Sequence, residues 1–143
     1  MVTINPYLNF MGKTEEVFNF YKSVFGGEFL TFQRFKDMPE GSRLPKNEQD
    51  RIMHVSLPLG KGPVLMGSDG LESMGHSIRT GNNFYIMINA ESKEEADSLY
   101  NKLSAGGKIE MALGDTFWGA YYGSFADKYG VQWMINYAYE QPK

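Results

Sequence analysis

The order of secondary-structure signals occurs twice along this chain, and that repeat limits the fold more than any other feature. In each half, a β-rich run is followed by an amphipathic helix that stops at a pair of glycines, and then by three further β-rich runs. A repeat of this kind predicts two βαβββ units in tandem, which is an α+β fold. The individual matches are Glu15-Glu16 with Glu94-Glu95, Tyr21 with Tyr100, and Gly26-Gly27 with Gly106-Gly107.

Periodicity and helix-capping signals predict the individual elements. Thr14 is a candidate cap for the first helix, which ends before Gly26-Gly27. Ser92-Lys93-Glu94-Glu95 predicts a capping box for the second helix. Residues 37–50 are polar and contain proline and glycine, which indicates a mobile surface loop. The predicted strands cover residues 4–10, 28–36, 52–57 and 64–66 in the first half and 83–89 and 108–113 in the second, before a final hairpin.

The final hairpin, residues 115–139, holds both tryptophans and five of the nine tyrosines. Its centre, Asp127-Lys128-Tyr129-Gly130, predicts a tight turn, because aspartate accepts backbone hydrogen bonds and glycine adopts a positive φ. Asp69, which ends the fourth predicted strand, is interpreted as another turn residue. Because so much aromatic area lies in one segment, the hairpin either builds the core or grips a flat ligand.

Length and composition predict one compact domain and exclude several partners. The 143 residues divide into a first module at 1–69, a linker at 70–81 and a second module at 82–143. A net charge of -3 argues against nucleic acid and anionic membranes, which usually need a basic face. The absence of cysteine excludes disulfides and cysteine-bound metals. No secretory leader or membrane-spanning segment is evident, so a cytoplasmic protein is expected.

The segment DTFWGAYYGSFADKYGVQWMINY, residues 115–137, resembles the last two strands of the vicinal oxygen chelate superfamily of glyoxalases, bleomycin resistance proteins and dioxygenases. It is most similar to the PhnB-like branch. With the tandem repeat, the resemblance covers nearly the whole chain. It implies that each module curves its sheet into a half-barrel around a concave pocket, with the helices packed outside. It also implies a homodimer, because members usually cover exposed sheet edges by pairing modules across chains.

The resemblance also implies where a metal would bind. In the metal-dependent members, ligands come from the first and fourth strands of each module. Thioethers are weak ligands for hard divalent metals, and proline and phenylalanine side chains donate nothing. We therefore expect no metal site and no cofactor. Carried onto this chain, the first-strand positions are Asn5 or Pro6 and Asn83 or Phe84, and the fourth-strand positions are Met66 and Met134.

Two residues are candidates for catalysis. His54 lies on a predicted strand, where it either faces the pocket or makes a hydrogen bond elsewhere on the sheet. Asp115 ends a strand, where it either orients a ligand or caps the backbone of a tight bend, and the second interpretation is favoured. The candidate ligand-binding residues are His54, Phe117, Trp118, Tyr121 and Trp133, and the alternative role of these aromatic residues is in the core.

The residues favour a protein that binds a small amphiphilic or aromatic molecule in a metal-independent cleft. The alternative is a glyoxalase-like lyase or isomerase, or a dioxygenase-type enzyme, which uses His54 or oxygen ligands from Asp69, Asp115 or Glu110. Methyl transfer is not expected, because the chain has no G-x-G-x-x-G motif and no strand and helix alternation for a doubly wound sheet.

Overall fold

The computed structural model describes residues 2–139, and the chain divides into two compact units, Met1–Arg79 and Thr80–Lys143. Each unit contains one four-stranded sheet and one long helix. The first unit consists of β1 (Tyr7–Phe10), α1 (Thr14–Phe25), β2 (Thr31–Arg34), the short α2 (Lys46–Gln49), β3 (Ile52–Pro58) and β4 (Val64–Asp69). The second unit consists of β5 (Ile86–Asn89), α3 (Lys93–Ser104), β6 (Lys108–Asp115), β7 (Ala120–Ala126) and β8 (Gln132–Ala138).

The two sheets have the same topology. The strand orders are β1-β4-β3-β2 and β5-β8-β7-β6. In each sheet the first strand is parallel to the fourth, and the other pairs are antiparallel. This arrangement confirms the α+β class and the two tandem βαβββ modules. The described strands do not close into a barrel. The long helix of each unit packs on one face of its sheet, and no described helix packs on the other face.

The core of each unit lies between its long helix and its sheet. In the first unit, Val17, Phe18 and Tyr21 of α1 are fully buried. Gly67 on β4 permits this close packing, since a Cβ there would lie 2.6 Å from the Phe18 ring. In the second unit, Trp133 and Ile135 of β8 are fully buried on the helix side. They pack with Phe125 of β7 and with Ala96 and Leu103 of α3, which are also buried.

The cap of α1 differs from the prediction. Thr14 is the first residue of the helix, and its hydroxyl donates to Asp69 Oδ1 at 2.7 Å instead of capping the helix. Asp69 is only 4% exposed and also accepts from the backbone N–H groups of Gly12, Thr14 and Ile52. The interpretation of Asp69 as a simple turn residue is therefore wrong. Its carboxylate joins β4, α1 and β3 around one buried charge.

The cap of α3 follows the prediction in one of its two bonds. The Ser92 hydroxyl accepts from the Glu95 N–H at 3.0 Å. The Glu95 carboxylate accepts from the Glu91 N–H instead of closing the box onto Ser92. The first bond satisfies a backbone donor of the first helical turn, which has no partner within the helix, and the second fixes the residue before the cap.

The turn between β7 and β8 is confirmed. Asp127 Oδ1 accepts from the N–H groups of Tyr129 and Val131, and Gly130 has a φ of 90°. Asp127 Oδ2 also accepts from the indole N–H of Trp133 at 2.9 Å. The turn and the largest core side chain of the second unit are therefore joined by one carboxylate.

The connection between β2 and β3 is more structured than the predicted loop. Residues 37–50 contain helical turns, because short 3₁₀ turns at Phe35–Asp37 and Gly41–Arg43 precede α2. β1, β2 and β5 begin later than predicted, whereas β4 and β6 extend further. A 3₁₀ turn at Glu72–Met74 follows β4. Within residues 2–139, no helix combines the length and apolar character that crossing a membrane requires.

Candidate functional site

The second sheet has a helix-free face, which we define by Met87, Asn89, Tyr122, Ser124, Met134 and Asn136. Side chains alternate along a strand, so Tyr122 and Ser124 of β7 point away from buried Phe125. In the same way, Met134 and Asn136 of β8 point away from buried Trp133 and Ile135. The register confirms the assignment, because Met134 pairs with both Met87 and Ser124. Asn136 likewise pairs with both Asn89 and Tyr122. Two rows of side chains therefore cross the face from β5 to β7.

A carboxylate cluster lies at one side of this face. The Tyr85 hydroxyl is 2.6 and 2.7 Å from the two oxygens of Glu110, and the Ser124 hydroxyl is 3.0 Å from Oε1. The Tyr85 bond, followed by the Ser124 bond, lowers the pKa of Glu110. The carboxylate in turn raises the pKa of Tyr85. At neutral pH this cluster therefore combines an ionised carboxylate with a protonated phenol.

An aromatic tip lies at the turn between β6 and β7. Thr116 closes this turn, because its hydroxyl donates to the carbonyl of Ala120 at 2.9 Å and accepts from its N–H. Phe117 is 97% exposed and Trp118 is 53% exposed. The Trp118 ring lies 5.9 Å from the ring of Tyr122 in an edge-to-face arrangement. Trp118 therefore extends the helix-free face with a half-exposed indole.

The structure places Tyr121 and Asp115 away from that face. Tyr121 is directed toward α3, where its hydroxyl donates to Asp97 at 2.5 Å, and this bond raises its pKa to about 12. Asp115 accepts a hydrogen bond from the Tyr139 hydroxyl, which raises the pKa of Tyr139 to about 12. The favoured interpretation of Asp115 as the cap of the bend is wrong, since Thr116 has that role.

Trp133 lies in the core of the second unit, and His54 lies in the first unit. Trp133 is fully buried and has no exposed surface for a ligand, so we leave it out of the proposed site. His54 belongs to the first unit and lies opposite its helix, where its Nδ1 is 3.3 Å from the Tyr7 hydroxyl and the two rings stack. Of the predicted ligand-binding residues in the second unit, Phe117 and Trp118 lie side by side, with rings 4.9 Å apart.

The positions that the resemblance implies for a metal carry methionine, asparagine, proline and phenylalanine rather than histidine or carboxylate side chains. The register places Tyr7 beside Met66 and Met87 beside Met134. The first-strand positions are therefore shifted from those expected, because Asn5, Pro6, Asn83 and Phe84 precede β1 and β5. The thioethers of Met66, Met87 and Met134 are weak ligands for a hard divalent ion. In the described part of the chain, no three carboxylate or histidine side chains lie close enough to hold one.

An open pocket of about 390 Å³ lies in the first unit, between the connection from β2 to β3 and the segment after β4. Its walls are mainly apolar, and Glu40 and Arg43 stand among them. It contains none of the predicted site residues and no histidine. The remaining lining residues are Phe35, Met38, Pro39, Gly41, Leu44, Leu71 and Met74.

Sequence reasoning missed the roles of Tyr85, Tyr122 and Ser124, and it treated Glu110 only as a possible metal ligand. The repeat could have indicated Tyr122 and Ser124, because they occupy the positions on β7 that the candidate His54 and its neighbour Ser56 occupy on β3. No local pattern could have joined Tyr85 to Glu110, since the bond connects a residue before β5 to the opposite edge of the sheet.

Comparisons with known proteins agree with this fold. A model of the Glyoxalase/Bleomycin resistance protein/Dioxygenase superfamily matches residues 3–135. Protein YjdN from Escherichia coli (strain K12) is 32% identical over an alignment of 147 positions, gaps included, which covers 97% of this chain and 97% of that protein.

Two solved structures are also similar. Protein PA1353 from Pseudomonas aeruginosa is 37% identical with a TM-score of 0.84, over 96% of this chain and 98% of that one. The PhnB protein from Bacillus cereus is 29% identical with a TM-score of 0.77, over 96% of this chain and 100% of that one. The chain therefore belongs to the Glyoxalase/Bleomycin resistance protein/Dioxygenase superfamily and, within it, to the PhnB-like branch.

Proposed function

We propose that the protein binds a small aromatic or amphiphilic molecule on the helix-free face of its second sheet, without a metal ion. The observation that carries the proposal is the half-exposed ring of Trp118, held edge-on to Tyr122 on the face that also bears the Glu110 carboxylate. An apolar surface with a few converging polar groups is the usual composition of a small-molecule site.

Exposed apolar side chains lie on this face and at the adjacent aromatic tip. Met87 and Trp118 are each 53% exposed, and Phe117 is almost fully exposed. Covering about 100 Å² of such surface would contribute about 2.5 kcal/mol. Methionine adapts its shape and makes favourable contacts with aromatic rings, so the surface suits ligands of varied outline.

The polar part of the face supports binding better than catalysis. An effective general base has a pKa near the working pH, but the hydroxyls of Tyr85 and Ser124 lower the pKa of Glu110. The pKa of Tyr85 is raised, which makes it a poor proton donor at neutral pH. Methyl transfer has no support from the fold, because the described strands form two four-stranded βαβββ sheets rather than a doubly wound one.

Titration with phenylbutanol, a neutral amphiphile with one ring, tests the proposal. We expect saturable binding by calorimetry and a saturable change in tryptophan emission. Trp118→Ala should weaken the affinity at least about fivefold, because the ring contact is lost. The same change should lower the free energy of unfolding by less than about 1 kcal/mol, as is usual for a half-exposed residue.

Leu30→Ala is the matched control, since Leu30 is 72% exposed and lies in the first unit. Its affinity for phenylbutanol should equal that of the wild type. An unchanged affinity in Trp118→Ala, or an equal loss in Leu30→Ala, would exclude this face as the specific site.

A further inference from the structure

Among residues 2–139, the Glu110 carboxylate is bonded to two hydroxyl groups and has no ion-paired cation. Its partners are Tyr85 and Ser124. The lowering of its pKa likewise comes from these two hydroxyls and not from a positive side chain. In the described part of the chain, this negative charge therefore lies on a partly apolar surface without a bonded lysine or arginine.

Three other charged groups near β7 lie on the opposite side of the sheet, whereas Lys108, which pairs with Ala126 of β7, lies on the side of Glu110 without forming an ion pair with it. Asp97 receives the Tyr121 hydroxyl on the side of α3, and Lys93 lies over the Tyr121 ring at 4.7 Å. Asp115 is bonded to Tyr139, whose ring also packs near Lys93. Of these groups, Glu110 is the one that is hydrogen-bonded to the helix-free face, through the Ser124 hydroxyl.

The separation between the aromatic tip and the carboxylate defines the length of a ligand. Tyr122 and Ser124 are two residues apart on β7, which separates them by about 7 Å. Trp118 contacts Tyr122, and Glu110 contacts Ser124. A ring placed against Trp118 would need a linker of about four methylene groups to bring its polar end to Glu110.

We infer that the ligand of this face is an aryl-alkyl cation, with its ring against Trp118 and Tyr122 and its protonated amine or quaternary ammonium group at Glu110. This inference rests on the proposed function and specifies the ligand class for the same site. A carboxylate attracts a cation directly, and the rings of Tyr122 and Trp118 provide an apolar surface for the aryl group. An anionic ligand would be repelled by Glu110.

Three probes with the same ring and linker test the inference: phenylbutylammonium, neutral phenylbutanol and anionic phenylbutyrate. Calorimetry should show that the ammonium binds about tenfold more tightly than the alcohol, which corresponds to one charge-assisted contact. Phenylbutyrate should bind most weakly. Equal affinities, or tighter binding of the anion, would overturn the inference while leaving the proposed function intact. Binding of none of the three would overturn the proposed function itself.

Variants then assign the preference to Glu110. Glu110→Gln should bring the affinity for the ammonium to within about twofold of the affinity for the alcohol, since the charged contact is lost. Glu94→Gln changes the net charge equally, and it should retain the preference. Tyr85→Phe removes a hydroxyl that competes with the ligand for Glu110, so the preference for the ammonium over the alcohol should persist or increase. A preference that survives in Glu110→Gln, or that is lost equally in Tyr85→Phe, would show that Glu110 does not bind the cation.

Discussion

The two units share one topology, but they connect their second and third strands differently. In the first unit, residues 35–51 form two 3₁₀ turns and α2, and ion pairs such as Lys36 with Asp50 lie along them. This connection also builds most of the wall of an apolar pocket. In the second unit, residues 116–119 form a tight turn that leaves Trp118 half exposed. The length of a connection therefore decides which surfaces a repeated scaffold presents to ligands.

The units also differ in their buried carboxylates. Asp69 ends β4 in the first unit, and Asp127 lies in the turn before β8 in the second. Both are nearly fully buried, and both accept several hydrogen bonds. They do not occupy equivalent positions, because Asp69 is the last residue of the fourth strand and Asp127 precedes it. Each copy of the module has thus acquired its own way of joining its turns to its core.

The largest expected effect compares the cores of the two units. Leu65 and Trp133 each precede the methionine of the fourth strand, and both are fully buried. Trp133→Ala should lower the free energy of unfolding by about 5 kcal/mol and Leu65→Ala by about 3 kcal/mol. The tryptophan variant also deprives Asp127 of its indole donor. Denaturant unfolding measures both values, and equal losses would contradict the difference between the cores.

A smaller effect is expected from the buried carboxylate of the first unit. Asp69→Ala leaves the N–H groups of Gly12, Thr14 and Ile52 without their acceptor. The free energy of unfolding should fall by about 3 kcal/mol. Asp115→Ala is the control, because Asp115 is exposed and the Tyr139 hydroxyl can bond to water instead. If the two variants unfold at the same denaturant concentration, Asp69 is not the structural centre of its unit.

The third prediction concerns the hydrogen bond between the Tyr121 hydroxyl and Asp97. The first unit has no equivalent bond, because Met53 and Phe18 occupy the corresponding positions. This bond raises the pKa of Tyr121 from 10.0 to about 12. Its contribution is fully present below pH 10 and is lost as the pH rises toward 12. Wild-type protein should be more stable than Tyr121→Phe by about 1 kcal/mol at neutral pH. That difference should disappear in strong alkali.

Unfolding of both proteins from neutral pH to pH 12 measures this linkage, and tyrosinate absorbance reports the ionisation. A stability difference that stays constant through pH 12 would show that the phenol does not titrate with this bond. Phe at position 121 keeps the ring, so the packing against Tyr139 and Lys93 serves as an internal control.

The smallest expected effect concerns the helix starts. Glu15 of α1 forms a bidentate pair with Arg34, which lowers the pKa of Glu15. The equivalent Glu94 of α3 has no such pair among the described residues. Glu15→Gln should cost about 0.5 kcal/mol at neutral pH, because the pair is partly exposed, and Glu94→Gln should cost less. The contribution is present above pH 4.5 and is lost as the pH falls through the lowered pKa. Equal effects of the two variants at neutral pH would contradict this difference.

Much of the fold followed from local patterns. The helix ending at Gly26, the cap at Ser92 and the turn at Asp127 were predictable because each depends on residues close together in the sequence. The resemblance identified the family correctly. The predicted homodimer and the ligand-binding roles of the aromatic residues stay predictions.

The sequence by itself determined the order of elements, the duplication and the family, because hydrophobic periodicity and turn chemistry act over a few residues. Only the tertiary structure decided that Trp133 is in the core and Trp118 is half exposed. Both tryptophans lie in aromatic-rich stretches of the same hairpin, so the local sequence does not distinguish them. The tertiary structure also decided that Tyr85, Glu110 and Ser124 meet. Those contacts depend on strand pairing between distant segments, and the bulges in the pairing of β6 with β7 alter which side chains share a face.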